Sequence, residues 1–454
     1  MRINNIRIFF WLFAYIMIAC FASAQQYSVT GGAKDPYLAV DDSREHIKVY
    51  LVYGMDNVQI SYTSSSTSHK WYRYKTKVDS NNPEAVSSVQ QNGTTSVITN
   101  IEEGYGYYVL EESVNVMNRY YVWVIDYSKY EFDIRSLNIS PNVDQCAAIR
   151  FDGDADIRDM LYFTPALGTQ EKVKREFFLS YGTLEWNNAL KQFFSKSISE
   201  TFSTDPFSTS FAPPLTDTEI TLSGDMFARH FGVEKSITIS YQAVAIQVYA
   251  DTLVISSGSG NNSGAGEGEL QAPADINFKA YANFPVASYF EWKIYREDDT
   301  TRTIAEFSGE EYDYLFNRSG KYIAKLEVRG RSNICITEKD AFTFLIDITE
   351  TEMLVPNAFS PGTTPGINDI FKVKYKSVMN FKGWVYNRWG NELFHWIDPA
   401  QGWDGKYRGK YVPAGAYYYT IEYTGTDGKK RVKKGDINVF RGKTIENEIV
   451  ISDQ

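Results

Sequence analysis

Short segments in which apolar and polar residues alternate recur along most of the chain. His46–Val52, Val58–Tyr62 and Ile237–Tyr241 each place apolar side chains at every second position. Successive side chains of a strand point to opposite faces, so this pattern predicts strands with one buried face. Small polar residues, as at 63–68, separate the segments and indicate turns. Aromatic residues form 15% of the chain and pack well in sheets. The predicted fold class is all-β.

A glycine closely followed by a tyrosine begins three of the predicted strands, at Gly106–Tyr108, Gly320–Tyr322 and Gly415–Tyr417. Tyr107 and Tyr322 each follow an apolar residue by six positions. This spacing resembles the tyrosine corner of immunoglobulin-like and fibronectin type III domains, where the hydroxyl bonds backbone groups at the entry to a strand. A tyrosine-rich strand after a glycine turn is the alternative. The resemblance implies tandem immunoglobulin-like β-sandwich domains joined by short linkers.

Composition divides these strands into domains. The clearest predicted boundary is a stretch of glycine, serine and asparagine at 256–269, which has no means of forming a core. The predicted organisation is a signal peptide (1–24), a β-sandwich similar to immunoglobulin and fibronectin type III domains (25–142), a β-rich domain (143–255), the Gly/Ser linker (256–269), an immunoglobulin-like domain (270–348), a C-terminal domain (350–441) and an extension (442–454).

Residues 270–348 have a further resemblance. Trp292 lies in an early strand of this segment, and Gly320-Lys321-Tyr322 begins a later one. This order is similar to PKD-type immunoglobulin-like domains, in which the two strands pack across the sandwich. The Gly-Asp-Gly that usually follows the tryptophan strand of that family is missing. The resemblance therefore implies the fold and no binding property.

The N-terminus predicts export. Arg2 and Arg7 precede an apolar run at Ile8–Ala19, and Ala22-Ser23-Ala24 supplies the small residues that signal peptidase requires. The run is short for a membrane span, so a cleaved signal peptide is expected. Of the three cysteines, Cys146 and Cys335 would remain after cleavage. Because they fall in different predicted domains, two unpaired thiols are expected.

Several motifs built from aromatic residues, glycine and asparagine stand close together in the last ninety residues. They comprise Pro356, Asn357, Asn368, Asp369, Tyr386, Asn387, Arg388, Trp389, Gly390, Gly402, Trp403, Asp404, Gly405, Gly415 and Tyr417. In their order and spacing, this segment (about 352–441) resembles the gliding-motility-associated C-terminal domain of Bacteroidetes. That domain is the type B sorting signal of the type IX secretion system.

The resemblance implies a sandwich that docks on the type IX secretion machinery after a signal peptide has delivered the protein to the periplasm. The implied destination is the cell surface or the medium. Two features depart from the family. The acidic turn expected before Asn368 is replaced by Gly362-Thr363-Thr364-Pro365-Gly366, and the chain continues for 13 residues beyond Arg441.

The inventory of catalytic groups is poor. The four histidines, His46, His69, His230 and His395, are scattered, and no zinc spacing such as HExxH occurs. Neither a nucleophile elbow nor a phosphate-binding glycine loop is present. These observations predict a protein that is not an enzyme and has no cofactor.

One acidic cluster is a candidate calcium site. Asp152, Asp154 and Asp156 alternate along the chain, as do ligands in loops of the EF-hand type. The sixth position of such a loop is Ile157 here and the twelfth is Phe163, where the motif has glycine and glutamate. A solvated acidic turn is the alternative.

Charge is distributed unevenly. Residues 351–441 hold 14 Lys and Arg against 8 Asp and Glu, a net charge of +6, while the whole chain carries −10. A basic terminal domain on an acidic chain is expected to be recognised separately from the rest. The net negative charge argues against nucleic-acid binding.

Three functions remain open. The leading hypothesis is a secreted or surface protein with a binding, adhesin-like or structural role, whose partners are signal peptidase and the type IX machinery during export and an unknown protein or glycan outside. The second is an accessory or signalling component of the type IX secretion and gliding machinery. The third is a secreted hydrolase with its site in 143–255. No stable membrane span is expected in any of these cases.

Overall fold

The computed structural model describes residues 26–111, 119–258, 270–363 and 366–441. Regular structure in these residues is almost entirely strand, which confirms the predicted all-β class; the exceptions are helix α1 (Met226–His230) and a 3-10 turn at Tyr127–Lys129. The predicted signal peptide and the extension 442–454 lie outside the described residues. The chain forms two compact units, one comprising Met1–Glu185 and Ser195–Ala243, the other Trp186–Phe194 and Val244–Gln454.

The first unit begins with a two-sheet sandwich. Its strands are β1 (Gln26–Thr30), β2 (Tyr37–Asp42), β3 (Ile47–Val52), β4 (Gln59–Thr63), β5 (Lys70–Tyr74), β6 (Glu84–Ala85), β7 (Val89–Asn92), β8 (Thr95–Ile98), β9 (Gly106–Leu110) and β10 (Tyr121–Asp126). One sheet has the order β1-β4-β8-β7, and the other has the order β2-β3-β10-β9-β5-β6.

The six-stranded sheet is covered on both faces. On one face Trp71 packs with Ile60 of the four-stranded sheet. On the other face Trp123 packs with Met160 and Phe227, which come from the following domain. β10 is accordingly an almost continuous apolar run, and it pairs in parallel with β3, as is usual for strands buried on both faces.

The second domain of this unit contains β11 (Asp133–Ile139), β12 (Ile149–Asp156), β13 (Leu161–Phe163), β14 (Gln170–Lys172), β15 (Phe177–Asn187), β16 (Gln192–Phe202), β17 (Ser210–Phe211), β18 (Thr218–Gly224) and β19 (Lys235–Tyr241). Its sheets have the orders β11-β12-β17, β13-β14 and β16-β15-β18-β19. Because β11 pairs antiparallel with β12, the predicted boundary at 142/143 divides a strand pair. The second domain therefore begins near residue 133.

A buried polar cluster lies at the start of α1. The Asp225 carboxylate caps the helix by accepting from the Ala228 N–H at 2.8 Å, and it accepts from the Tyr127 hydroxyl at 2.7 Å. Arg175 Nε lies 3.4 Å from the second carboxylate oxygen, and another Arg175 nitrogen donates to the Tyr130 carbonyl. Both charged side chains are almost fully buried. Burial raises the pKa of Tyr127, and the adjacent carboxylate raises it further.

The third sandwich contains β20 (Val248–Ser257), β21 (Ala274–Ala282), β22 (Ala287–Arg296), β23 (Asp299–Ser308), β24 (Glu311–Phe316), β25 (Gly320–Gly330) and β26 (Phe342–Ile348). Its sheets have the orders β20-β21-β24 and β23-β22-β25-β26. Trp292, Phe278 and Ile276 are buried in the core between them. Trp292 thus lies in the early strand where the sequence placed it; the finer PKD assignment stays a prediction.

The Gly/Ser stretch is not the domain boundary that its composition predicted. β20 precedes this stretch and β21 follows it, and the two strands pair antiparallel from Val248↔Ala282 to Ser257↔Ala274. Both strands belong to one sheet, so the boundary of the third domain lies before β20. Composition identifies a segment with no core, but only strand pairing shows whether its two flanks belong together.

The C-terminal domain contains β27 (Glu352–Leu354), β28 (Ala358–Phe359), β29 (Lys374–Lys376), β30 (Val378–Tyr386), β31 (Glu392–Trp396), β32 (Lys406–Tyr407), β33 (Lys410–Tyr411), β34 (Gly415–Gly425) and β35 (Lys430–Val439). The main sheet has the order β28-β35-β34-β30-β31, and β27-β29 and β32-β33 form small pairs. Tyr417, Ile421 and Tyr423 lie on one face of β34 and are buried in the core.

At all three Gly-Tyr strand entries, the tyrosine hydroxyl forms a hydrogen bond with the backbone of the preceding turn. The Tyr107 hydroxyl accepts from the Glu102 N–H at 2.8 Å and donates to the Glu102 carbonyl at 3.2 Å. The Tyr322 hydroxyl donates to the Arg318 carbonyl at 2.8 Å, and the Tyr417 hydroxyl donates to the Pro413 carbonyl at 2.9 Å. In each case the ring is buried and its hydroxyl holds the turn that begins the strand. The predicted tyrosine corner is confirmed, and it recurs in three domains.

The cysteine prediction is wrong. Cys146 and Cys335 are each disulfide-bonded in the structure, whereas the sequence predicted two unpaired thiols. Disulfide formation depends on Cα and Cβ positions that sequence separation does not reveal.

Candidate functional site

The Gly402–Gly405 motif is the buried anchor of the C-terminal domain. Trp403 is fully buried, and its indole N–H donates to the Lys406 carbonyl at 2.9 Å. Its backbone exchanges two hydrogen bonds of 2.8 and 3.0 Å with Phe371. A Cβ at position 402 would lie 2.6 Å from the Phe371 carbonyl, so this close approach requires glycine. Asp404 is exposed and pairs with Lys406 at 3.2 Å. The motif holds the 371 and 403 segments together.

Asn357, Asn368 and Asp369 organise the loops that enter the domain. The Asn357 carbonyl accepts from the Asn438 N–H at 2.8 Å, next to the parallel pairing of β28 with β35. Asn368 has a φ of 54°, and its carbonyl accepts from the Ser360 N–H at 2.8 Å. The Asp369 carboxylate accepts from the N–H groups of residues 362 and 366 at 3.2 and 2.6 Å. Asp369 thereby ties together the two ends of the loop in which the sequence departs from the family. Pro356 is partly buried before β28.

Tyr386–Gly390 forms the turn between β30 and β31. The Asn387 side-chain oxygen accepts from the backbone N–H groups of Trp389 and Asn391, both at 3.0 Å. The Gly390 N–H donates to the Asn387 carbonyl at 3.0 Å, and Gly390 has a φ of 85°. Asn387 therefore holds this turn through both its side chain and its backbone. An asparagine at the first position and a glycine in the left-handed region give this turn a defined shape.

The same turn presents an exposed aromatic side chain. Trp389 is 71% exposed, and the Arg388 guanidinium lies 4.3 Å from the centre of its ring. The residues of this motif have two different roles. Asn387 and Gly390 determine the shape of the turn, whereas the side chains of Arg388 and Trp389 are exposed at its surface. An exposed aromatic and arginine pair is the composition that protein interfaces favour.

The motif residues are therefore not gathered at one point. Trp403, Gly405 and Tyr417 are buried around the core, whereas Asn357, Asn368, Arg388, Trp389 and Gly415 lie at the surface. Tyr386 is partly buried, and desolvation raises the pKa of its hydroxyl. The motif residues are thus divided between a buried core and exposed turns.

The predicted calcium site is not formed. Asp152, Asp154 and Asp156 lie on strand β12, where alternate residues are about 6.6 Å apart along the chain. Calcium takes oxygens at about 2.3–2.6 Å, which requires a loop to curl around the ion. Asp154 instead pairs with Arg135 at 2.8 Å, and Asp156 pairs with Arg158 at 3.0 Å. In the part of the chain that the structure describes, no group of three acidic, histidine or cysteine side chains is placed to hold a metal ion.

The fold brings together a buried polar cluster that the sequence did not predict. His69 Nε2 lies 3.0 Å from Ser64 Oγ and 3.2 Å from Glu111 Oε1, and Ser64 Oγ also bonds that carboxylate. His69 Nδ1 lies 2.8 Å from Ser96 Oγ. Ser96 and the Glu111 carboxylate lie on opposite ring nitrogens, as the serine and carboxylate of a nucleophile triad do, but the Ser96 hydroxyl is fully buried and accepts from the Trp71 indole N–H at 2.8 Å. The His69 side chain is also fully buried. This cluster is a packed network within the first sandwich, and its members are too far apart in sequence to form a motif.

The His69 network predicts acid sensitivity. Burial lowers the pKa of His69 below its ordinary value, and Glu111 opposes this shift. The unfolded chain therefore takes up a proton at His69 near pH 6.5, while the folded chain does so only at lower pH. The contribution of neutral His69 to stability is present above pH 6.5 and is lost as the pH falls through the lowered folded pKa.

The urea midpoint for the first sandwich is expected to be lower at pH 5.5 than at pH 7.5. His69→Gln should reduce that difference, with the exposed His395→Gln as control. Equal pH dependence in all three proteins would contradict the expectation.

Two family models match parts of the chain. Residues 353–439 match the CHU_C Type IX secretion signal domain, and residues 138–239 match a fibronectin type III domain. The second match falls on the region for which the sequence predicted only a β-rich domain. No curated protein matches the chain.

Two solved structures have similarity to the chain. The crystal structure of dimeric latent PorU from Porphyromonas gingivalis is 12% identical with a TM-score of 0.15; the match covers 74% of this chain and 35% of that one. This chain thus spans about a third of the PorU chain. The BSP domain of a biofilm associated protein is 9% identical with a TM-score of 0.18, and the match covers 93% of this chain and 97% of that one.

In the described residues, no helix has the length and apolar character needed to cross a membrane. The resemblance seen in the last ninety residues is confirmed by the family match over 353–439. The C-terminal domain is a type IX secretion signal domain, and a fibronectin type III domain precedes it at 138–239.

Proposed function

We propose that the type IX secretion system exports this protein across the outer membrane, and that the protein then has a non-enzymatic binding, adhesin-like or structural role at the cell surface. The observation that carries the proposal is the secretion signal domain at 353–439. Its motif residues form a rigid core around Trp403 and an exposed turn at Arg388 and Trp389.

Charge supports recognition of this domain apart from the rest of the chain. The domain has a net charge of +6, and the other residues are strongly acidic. Arg431, near the start of β35, pairs with Asp427 of the β34–β35 turn through two contacts of 2.6 and 2.9 Å. This pairing also holds the pKa of Asp427 at about 2. A basic surface of defined shape is suited to an acidic receptor on the machinery.

The binding role is supported by the architecture that precedes the signal domain. Three β-sandwich domains in series present long strands and loops, a scaffold that serves many binding proteins. The Ser-His-Glu grouping around His69 is buried in the core of the first sandwich, where a substrate has no access. A binding or structural module accounts for this construction more simply than a hydrolase does.

The test is to remove residues 350–454 in a bacterium with a type IX secretion system and to follow the protein by fractionation and surface proteolysis. The truncated protein is expected to remain in the periplasm, whereas full-length protein reaches the surface or the medium. As the converse, residues 350–454 fused to a periplasmic reporter should direct the reporter outward. Normal export of the truncated protein would overturn the proposal.

A deletion strain separates the remaining functions. If the protein is a cargo with its own role outside, other type IX cargo should be exported normally without it. A general export defect would instead identify it as a component of the machinery. Hydrolytic activity of the purified protein, abolished by substitution of a polar residue in 143–255, would overturn the non-enzymatic role.

A further inference from the structure

A cavity of about 470 Å³ in the third sandwich is lined by three arginines, Arg296, Arg302 and Arg318. One carboxylate, Asp299, lies in the same lining. We refer to this cavity as the arginine pocket. Residues 270–348, which form most of this sandwich, hold 10 Lys and Arg against 13 Asp and Glu. Positive charge is therefore concentrated at this pocket, although the surrounding residues are acidic on balance.

The pocket lies where the edges of the two sheets meet. β23 is the edge of the four-stranded sheet and supplies Arg302 and Ile304, and β24 is the edge of the three-stranded sheet and supplies Tyr314 and Leu315. Arg318 follows β24 in the turn that Tyr322 holds through its corner hydrogen bond. The pocket wall is thus formed by two edge strands and by a turn that a hydrogen bond from Tyr322 stabilises.

Arg296 is fixed in position. Its Nε lies 3.1 Å from Asp298, and its guanidinium lies 5.5 Å from the centre of the Tyr322 ring. Gly320 makes room for the Arg296 guanidinium, because a Cβ at position 320 would lie 2.8 Å from one of its nitrogens. A guanidinium held on an aromatic face and by a carboxylate loses little freedom when it binds a further group.

Arg302 and Arg318 are exposed and remain available. In the described part of the chain, neither side chain makes a hydrogen bond or an ion pair of 4 Å or less. The charge of Arg302 contributes at longer range to the lowered pKa of Asp299. Arg296 and Arg318 both act to lower the pKa of Tyr322, against the larger effect of burial, which raises it. Arg296, Arg318 and Tyr322 thus lie together in the pocket wall.

This combination selects a ligand chemistry. Guanidinium groups bind planar carboxylates through paired hydrogen bonds. The side chains of Ile304, Tyr314 and Leu315 offer an apolar wall that an inorganic anion cannot use. A uronic-acid sugar presents both a carboxylate and an apolar C–H face, and the cavity volume is within the usual range for small ligands, about 300–1,000 Å³. An extended acidic peptide is less suited, because it would need a continuous groove.

We propose that the arginine pocket binds a carboxylate-bearing sugar unit of an acidic polysaccharide. This inference names a ligand class for the proposed binding role. It rests on the proposed function, because the protein would encounter the polysaccharide at the cell surface. Binding is measured on purified full-length protein, whereas export is measured in cells. Failure of one is therefore distinguishable from failure of the other.

The test is calorimetric titration with oligogalacturonate, compared with the neutral galactose oligomer of the same length. Oligogalacturonate is expected to bind, more weakly as salt rises, and the neutral oligomer at least tenfold more weakly. Arg302→Gln and Arg318→Gln should each weaken binding about tenfold. Arg329→Gln, on the same domain but outside the pocket, should leave binding unchanged. Because neither pocket arginine supports the fold, melting curves should coincide.

Three results would overturn the proposal. The first is equal binding of the acidic and neutral oligomers. The second is binding of oligogalacturonate that survives the double variant Arg302→Gln/Arg318→Gln. The third is tighter binding of a polyglutamate peptide or of inorganic phosphate than of oligogalacturonate at the same pocket.

Discussion

Trp403→Ala is expected to unfold the C-terminal domain and to leave the protein in the periplasm. The indole is fully buried, packs 5.4 Å from the Phe359 ring and 5.7 Å from the Tyr417 ring, and bonds the Lys406 carbonyl. Truncating a buried tryptophan costs about 3–5 kcal/mol, because the apolar contacts are lost and a cavity remains. A domain of this size has roughly 5–15 kcal/mol of stability in total. Limited proteolysis of purified protein and cell fractionation measure the two effects.

Trp389→Ala is the matched control, since it removes the same side chain from an exposed site in the same domain. Its effect on stability is expected to lie within about 0.5 kcal/mol. A loss of export by Trp389→Ala in a stably folded domain would show that the exposed turn contacts the machinery. Trp403→Ala protein that resists protease and is exported normally would contradict the assigned anchor.

The second large effect is expected at Asp225. Asp225→Ala leaves Arg175 buried without its carboxylate and removes the helix cap and the acceptor of the Tyr127 hydroxyl. Breaking one side of a buried ion pair costs about 3–5 kcal/mol, mainly because the remaining charge is not compensated. Urea unfolding followed by tryptophan fluorescence should show this loss in the transition of the first unit, which contains Trp123.

Two comparisons make the test specific. Asp205→Ala removes an exposed aspartate that accepts one backbone hydrogen bond at 2.8 Å, and it should cost about 1 kcal/mol or less. The double variant Asp225→Ala/Arg175→Met removes both charges and should recover part of the loss. If the double variant is less stable than Asp225→Ala alone, the buried charge is not the cause.

Local patterns were sufficient for the strands and the corners. Alternation at period two identifies β34 and its buried Tyr417 face, because a half-buried strand must alternate. A tyrosine one or two positions after the glycine that begins a strand identifies three corners, because each corner is completed within about six residues. The motif order over 352–441 identifies the secretion signal domain for the same reason: its turns and core contacts form within one short segment.

Contacts between distant segments were not predictable in this way. His69 lies 42 positions before Glu111, and Tyr127 lies 98 positions before Asp225. The pattern of β20 and β21 shows two strands, but the pairing that joins them across the Gly/Ser stretch is a tertiary fact. The aspartates of β12 alternate as calcium ligands do, and only the extended backbone shows that they cannot converge.

The sequence by itself determined the all-β class, the tyrosine corners and the C-terminal secretion signal, because each depends on side chains close together along the chain. The tertiary structure alone decided the second buried face of the six-stranded sheet, the true extent of the third sandwich and the exposure of Trp389. It also brought three arginines into one pocket from β22, β23 and the turn after β24. Burial and charge convergence depend on which surfaces meet, and that is decided when the sheets pack.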